Sequence, residues 1–210
     1  MSKEEKQKVQ MDPKYILKLT VTLFVTCVVV AGALGFVNQI TAPKIQAALK
    51  EKTVAAMKAV VVDAENSEFS DALPLTDEMK DAAIQNGGEL TEAYAVTVDG
   101  EPAGYTVKIV ASGSQGNIEM MVGLDAEQAV TGISVVKQAE TKGIGSKVVV
   151  DNAVVKATGV PVLDQFKSMS PADMPLTVGG NVDAITGATV STKGVTAGVN
   201  AALAVAQVLG

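Results

Sequence analysis

The chain has 210 residues, a formal net charge of −6, seventeen lysines with no arginine, and an aromatic content of only 3%. An acidic chain with so few aromatic side chains lacks the basic face and stacking surfaces of nucleic-acid-binding proteins, so we expect no nucleic-acid partner. It contains no histidine and one cysteine, Cys27, which excludes an intrachain disulfide and a cysteine-based zinc or iron–sulfur site within the chain. An electron carrier in this chain would therefore be organic, or a metal shared with a partner.

The first predicted element is a membrane-spanning helix at residues 19–42, a run without a charged side chain. As a helix it rises about 36 Å at about 1.5 Å per residue, which exceeds the roughly 30 Å of a bilayer core. Lysines dominate the short segment before it, residues 1–18, so the positive-inside rule places that tail in the cytoplasm. The sequence thus predicts a single-pass protein of the cell (inner) membrane whose C-terminal part lies outside the cytoplasm.

Alternatives to a permanent protein anchor remain open at this stage. Ala31-Gly32-Ala33 is similar to a signal-peptide cleavage site, although the apolar run continues past it. Acylation of Cys27 would make the chain a lipoprotein, but Thr26 precedes it where a smaller residue is usual. We interpret Cys27 as a small apolar residue of the helix; the alternative is a ligand to a metal shared with a neighbouring subunit.

The segment after the membrane helix is expected to be helical and then irregular. Pro43 is expected to mark the exit from the membrane, and residues 44–62 have the pattern of a juxtamembrane helix with one apolar face. The polar residues 63–75 predict a loop. Thr76 is the expected N-cap of a short helix that runs to residue 84 and ends before a Gly-Gly pair.

A meander of strands is predicted next, followed by a C-terminal helix. Strands are expected at residues 93–98, 105–110, 117–124 and 130–136, with a small polar loop at 111–116. Asp99-Gly100, between the first two strands, is a hairpin signal. Periodicity leaves 148–155 open between strand and helix; the remaining expectations are a short helix at 162–169, a loop at 170–180 and an Ala/Val-rich helix at 190–208. The predicted fold class is α+β with antiparallel strands.

A hydroxyl-rich turn opens the last helix. Its sequence is Asp183-Ala184-Ile185-Thr186-Gly187-Ala188-Thr189. Helix N-termini carry free N–H groups and the positive end of the helix dipole, so such a turn favours a phosphate. The alternative interpretation is an ordinary cap, in which Thr186 or Thr189 satisfies backbone donors.

This turn resembles the flavinylation motif Asp-x-x-[Ser/Thr]-Gly-Ala-Thr of the FMN-binding domain family. In that family a flavin transferase uses FAD and leaves FMN joined by a phosphoester to the last threonine of the motif, which corresponds to Thr189. The resemblance implies FMN as a covalent cofactor. It also implies that Thr189 is a tether, with Thr186, Gly187 and Ala188 supporting the phosphate. Asp183 is then expected to orient the motif or to serve magnesium during the transferase reaction.

A second segment is similar to the same family. Glu140-Thr141-Lys142-Gly143-Ile144-Gly145 resembles its Glu-Thr-Pro-Gly-Leu-Gly stretch, which forms a loop near the flavin, and departs from it at the lysine. Its glycines allow tight turns and close backbone approach to a planar ring. The residues implied on the ring side of the cofactor are Glu140, Thr141, Gly143 and Gly145. No catalytic or metal-binding residue is implied.

Within this family the chain is similar to the group formed by the G subunits of Rnf complexes, and also to the C subunits of sodium-translocating NADH:quinone reductases. The resemblance implies an electron-relay protein of an ion-translocating ferredoxin:NAD oxidoreductase, with the other complex subunits, a flavin transferase and the membrane as partners. The alternatives are a C subunit of a sodium-translocating NADH:quinone reductase, or a membrane-anchored binding or scaffold protein without a cofactor. The implied domains are a tail at 1–18, a transmembrane helix at 19–42, a juxtamembrane helical region at 43–88 and a covalent FMN-binding domain at 89–210.

Overall fold

The computed structural model describes residues 13–210, so most of the lysine-rich tail lies outside the described residues. Its first element is helix α1, Pro13–Val60, which runs for 48 residues. Helix α1 continues through Pro43, where the exit from the membrane is predicted, so the membrane helix and the juxtamembrane helix predicted on either side of it are one helix. A proline inside a helix removes only one backbone donor. Hydroxyl groups of α1 bond within the helix, as Thr41 Oγ1 does by donating to the Val37 carbonyl at 3.0 Å.

Within residues 13–210, α1 is the one helix that is long and apolar enough to cross a membrane. Its candidate span has a mean hydropathy of 2.3, and none of that window is buried against protein. Cys27 lies exposed on it. The chain divides into two compact units, one ending at Ala48 and the other spanning Leu49–Gly210. The last turns of α1 therefore belong to the second unit.

The second unit is built on a five-stranded antiparallel sheet whose strands follow one another in chain order. The strands are β1 Ser67–Phe69, β2 Gly88–Val98, β3 Glu101–Ser112, β4 Asn117–Asp125 and β5 Val130–Lys137. All four predicted strands are present. Asp99 and Gly100 form the predicted turn between β2 and β3 with φ values of 53° and 83°. Positive φ at both positions is the requirement of a two-residue type I′ hairpin.

Two parts of the sheet differ from the prediction. The loop predicted at 63–75 contains β1, which pairs with the end of β2. Such a short edge strand carries no alternating pattern, so its pairing is set by its neighbour. The first long strand begins at Gly88 rather than at Ala93, and glycine is required there because an added Cβ would lie 2.7 Å from the Ala201 side chain.

Two helices cover one face of the sheet: α2, Asp77–Gln85, and α4, Thr189–Leu209. Thr76 caps α2 as predicted, its hydroxyl accepting from the Met79 N–H at 3.3 Å. These helices and the inward side chains of the strands form the main core, which includes Ala83, Val107, Ile109, Met120, Val122, Phe166, Val199 and Leu203. The Ala/Val/Gly composition of α4 brings this helix close to the sheet.

The end of α1 covers the other face. Met57 and Val60 pack there against Met121 and Val136. Met121 lies between two residues of the main core along β4, so alternation puts it on the opposite face of the sheet. The Thr131 hydroxyl donates to the Val60 carbonyl and joins β5 to the last turn of α1. The second unit thus has three layers: helices, sheet and the end of α1.

The region between β5 and α4 is mostly irregular. It contains helix α3, Ser146–Val149, and two 3₁₀ turns, Asp164–Phe166 and Pro171–Asp173. The segment 148–155 is therefore helical only at its start. The helix predicted at 162–169 is reduced to one 3₁₀ turn, because Ser168 has a φ of 65° and its N–H donates to the Val130 carbonyl at 2.8 Å.

Thr106 on β3 is fully buried, and its hydroxyl has no hydrogen-bond partner among the described residues. Desolvating an unpaired hydroxyl is unfavourable, so Thr106→Val is expected to leave the free energy of unfolding unchanged or raise it by about 1 kcal/mol. Thermal unfolding measures this. The matched control is Thr196→Val, which removes a buried hydroxyl that donates to the Thr192 carbonyl at 2.9 Å and should lower stability. A destabilised Thr106→Val with an unaffected control would contradict the expectation.

Candidate functional site

The hydroxyl-rich turn lies where the sequence predicts it, at the start of α4. Gly187 has a φ of 82°, and the Ala188 N–H donates to the Ile185 carbonyl at 2.9 Å, which closes a tight turn. Ala188 is the N-cap residue and provides no side-chain cap. The alternative interpretation, in which a threonine of the motif caps the helix, is therefore wrong. The glycine turn places Ala188 at the cap and Thr189 at the first helical position.

The Thr189 side chain is exposed, and within residues 13–210 its hydroxyl makes no hydrogen bond. The N–H groups of a helix's first turn have no intrahelical acceptor, and the helix dipole adds partial positive charge there. The first helical bond at this end runs from the Thr192 N–H to the Ala188 carbonyl at 3.0 Å. A free hydroxyl thus lies beside backbone donors that favour a phosphate.

A cleft of about 590 Å³ adjoins the turn. Its lining includes Asp183 and Thr186 from the motif, Lys147 from α3, and the exposed residues Val154 and Lys156. This volume lies in the range of small-molecule and cofactor sites. The two lysines add positive charge to a partly apolar wall. The sequence interpretation missed both lysines, since each stands alone in a segment without a recognisable pattern.

The Gly-containing segment forms a tight turn that leads into α3. The N–H groups of Ile144 and Ser146 both donate to the Thr141 carbonyl, at 3.1 and 3.2 Å, and the Gly143 N–H donates to Ser146 Oγ at 2.8 Å. Gly143 has a φ of 77°, which favours glycine. The turn is therefore closed by backbone bonds with Lys142 in the place of proline.

Glu140 connects this turn to the start of α4. Its side chain is buried, and one carboxylate oxygen accepts from the N–H groups of Ser114 and Gln115 at 2.6 and 3.3 Å. The other oxygen accepts from Ser191 Oγ at 2.7 Å. Both oxygens are thus occupied by the protein itself. The structure brings the two motifs together through a serine that the sequence interpretation did not single out.

The other predicted ring-side residues differ in exposure. Thr141 and Gly143 are exposed, whereas Gly145 is buried. Gly145 is required for packing, because an added Cβ would lie 2.7 Å from Ser191 Oγ. Thr141 and Gly143 are therefore accessible from solvent, and Gly145 and Glu140 are not.

These features fit FMN. The phosphate would be held by the hydroxyl and N–H groups at the start of α4, with Thr186 beside them, and the cleft has the size and the partly apolar wall that an aromatic ring system needs. The cationic side chains that line this cleft are those of Lys147 and Lys156.

Comparison with known proteins agrees with this geometry. The model of the FMN-binding domain family matches residues 113–204. The G subunit of the Na⁺-translocating ferredoxin:NAD⁺ oxidoreductase complex of Acetobacterium woodii is 34% identical over 97% of this chain and 98% of its own length. The chain belongs to the G-subunit family of ion-translocating oxidoreductase complexes. Further similar members come from Methanosarcina acetivorans, 31% identical over 88% of this chain and 90% of its own, and Stutzerimonas stutzeri, 28% identical over 87% and 77%.

Membership of the G-subunit family confirms the resemblance and the α+β fold class. The match to the FMN-binding domain begins at Gly113, in the loop that contacts Glu140, and ends within α4. It therefore includes every site residue predicted from the sequence. It also includes Ser191, Lys147 and Lys156.

Proposed function

We propose that this chain is an electron-relay subunit that carries FMN as a phosphoester on Thr189, in a membrane ion-translocating ferredoxin:NAD oxidoreductase (Rnf) complex. The observation that carries the proposal is the Thr189 hydroxyl, which is exposed and unbonded within the described residues at the first position of a 21-residue helix. Family membership and the match to the FMN-binding domain support the cofactor and the type of complex.

Attachment is a transfer of the FMN half of FAD to the threonine. Thr189 Oγ forms a bond to the phosphorus on the riboflavin side of the pyrophosphate, the P–O bond to the adenylate half breaks, and AMP leaves. The hydroxyl proton passes to a base of the flavin transferase. Because the N-terminal turn of α4 offers N–H donors, it stabilises the negative phosphoryl oxygens of both the reacting and the attached group.

After attachment, the role of the chain is to hold and orient the cofactor. Bound FMN supplies a carrier that accepts and gives up one or two electrons, and the protein supplies position and electrostatics. Thr141 and Gly143, which are exposed, would contact the flavin ring from the Gly-containing turn. Lys147 and Lys156 place positive charge on the cleft wall, which favours an electron-rich ring. No catalytic residue is required of this chain.

The proposed function includes a membrane anchor, which is helix α1. Helix α1 is long and apolar enough to span a bilayer. The lysine-rich tail would lie in the cytoplasm by the positive-inside rule, which puts the FMN-binding part outside the cytoplasm. There the covalent bond prevents loss of the cofactor. The other subunits of the complex would then be the donors and acceptors of its electrons.

Flavin fluorescence in a denaturing gel tests this function. The full chain is expressed with and without a flavin transferase, and a chain known to be flavinylated by that transferase serves as a positive control. We expect a fluorescent band at the position of this chain only when the transferase is present, since only a covalent flavin survives denaturation. A dark band beside a fluorescent positive control would reject the proposal in favour of a scaffold protein without a cofactor.

A further inference from the structure

The buried carboxylate of Glu140 has no part in the attachment chemistry described above. Its side chain belongs to a residue that is 8% exposed, and its two oxygens accept three hydrogen bonds. The donors come from two separate parts of the chain: the loop between β3 and β4, and the first turn of α4. Bonds to an ionised acceptor are about twice as strong as neutral ones. Glu140 therefore joins three segments at one point.

Glycines surround this point and leave room for the carboxylate. An added Cβ at Gly113 or at Gly145 would lie less than 3.0 Å from an oxygen of Glu140. An added Cβ at Gly194 would likewise lie less than 3.0 Å from the Ser112 carbonyl. The end of β3 and the start of the following loop consequently lie directly against the second turn of α4, while the carboxylate is bonded to Ser191 in its first turn.

The position of Ser191 explains what the contact does. It is the third residue of α4, it is 1% exposed, and its hydroxyl donates to Glu140. Thr189 lies two positions earlier and makes no side-chain bond of its own within the described residues. Helix ends fray unless they are tied down. A negative carboxylate near a helix N-terminus also interacts favourably with the dipole. The first turn of α4 is thus held on its buried side by the bond from Ser191 to Glu140, and its exposed side, which carries Thr189, remains accessible to the cofactor.

We infer that Glu140 and Ser191 are positioning residues for flavin attachment, which hold the first turn of α4 so that Thr189 Oγ is correctly placed for phosphoryl transfer. This inference rests on the proposed attachment to Thr189. It assigns Glu140 a role beneath the helix rather than against the flavin ring. Small displacements of a reacting group lower a rate by up to about a hundredfold. Loosening the contact should therefore slow loading without removing the attachment site.

The test is a double-mutant cycle on the full-length chain. Glu140→Ala, Ser191→Ala and the double variant are incubated with purified flavin transferase and FAD, and the loading rate is followed by the increase in covalent flavin. We expect each single variant to load about tenfold more slowly or worse, and the double variant to load no more slowly than the worse single one, because both changes break the same contact. The final loaded mass should equal that of the wild type.

Thr196→Ala is the matched control. It removes a buried hydroxyl of the same helix, which donates to the Thr192 carbonyl at 2.9 Å and is not among the hydrogen-bond donors to Glu140. It should load at the wild-type rate, and the double variant Glu140→Ala with Thr196→Ala should load at the rate of Glu140→Ala alone.

A second measurement does not depend on flavin. Amide exchange of Ser114 and Gln115, detected by NMR, should be about tenfold faster or more in Glu140→Ala and unaffected in Thr196→Ala.

The outcomes separate this inference from the proposed function. If the wild type loads and both single variants load within twofold of it, or if Thr196→Ala is slowed as much as they are, the positioning role is wrong and the attachment stands. Additive effects of Glu140→Ala and Ser191→Ala would also contradict a shared contact. A wild-type chain that takes up no flavin overturns the proposed function and this role with it.

Discussion

Replacing Thr189 by alanine is expected to abolish covalent flavin loading completely. The substitution removes the oxygen that, in the proposed function, forms the phosphoester, and none of the neighbouring hydroxyls occupies the first position of α4. Loading is measured as flavin fluorescence of the denatured chain after co-expression with the transferase. The fold should be unaffected, because the Thr189 side chain is exposed and makes no side-chain bond within residues 13–210; the free energy of unfolding should change by less than about 0.5 kcal/mol.

Thr189→Ser is the matched control for this change. Serine keeps the hydroxyl at the same helical position, and it is as well tolerated at the start of a helix as threonine. It should therefore acquire flavin, although more slowly if the threonine methyl group restricts the orientation of the hydroxyl. Full loading of Thr189→Ala, or equal failure of both variants in chains that fold normally, would contradict the assignment of this hydroxyl as the tether.

The second large effect is expected at Gly123, where β4 passes beneath the end of α1. An added Cβ there would lie less than 3.0 Å from the Val60 carbonyl and from Thr131 Oγ1, so neither backbone nor side chain has room for it. Gly123→Ala is expected to push the last turn of α1 off the sheet and break the bond from Thr131 to Val60. Overpacking of this kind costs about 1–3 kcal/mol. Thermal unfolding and amide exchange of the last turn of α1 measure it.

Gly132→Ala is the control, since Gly132 on β5 pairs with Gly123 across the sheet. A Cβ at Gly132 meets its nearest neighbour, the Val60 Cα, at 3.4 Å, which is an ordinary contact. We expect this variant to change the free energy of unfolding by less than about 0.5 kcal/mol. If Gly123→Ala and Gly132→Ala have the same free energy of unfolding, the result would contradict a close approach of α1 to the sheet at Gly123.

Local sequence signals predict the elements whose conformation is fixed locally. Thr76 is recognisable as a cap because a hydroxyl before a helix has a backbone donor to bond, and Asp99-Gly100 as a hairpin because both residues adopt positive φ readily. The start of α4 follows from its glycine-containing turn. In each case neighbouring residues along the chain contain the whole cause, and distant contacts only reinforce it.

Elements that depend on distant contacts are not predictable in this way. Proline at position 43 is a strong local signal for a helix end, but one lost hydrogen bond does not stop a helix whose other residues favour it. The strand at Ser67–Phe69 exists through its pairing with β2. The helix predicted at 162–169 is stopped by the contact between Ser168 and Val130. The partners of these last two segments are distant in sequence.

The candidate site shows the same division. The resemblance points to Thr189 and the Gly-containing turn, but no sequence pattern joins Glu140 to Ser191, which stand 51 positions apart. The cleft lysines at positions 147 and 156 are isolated charges in the chain and become a feature only once the fold brings them to one wall. Motifs identify attachment chemistry, whereas the surroundings of the attached group are a property of the folded chain.

Mass spectrometry of the purified full-length chain tests the central claim most directly. After co-expression with a flavin transferase, the intact chain should be heavier by about 438 Da, the mass of FMN less one water. Fragmentation of its peptides should place that mass on Thr189. An unmodified mass, or the same added mass on another residue such as Thr186, would contradict the assignment of Thr189 as the flavin tether.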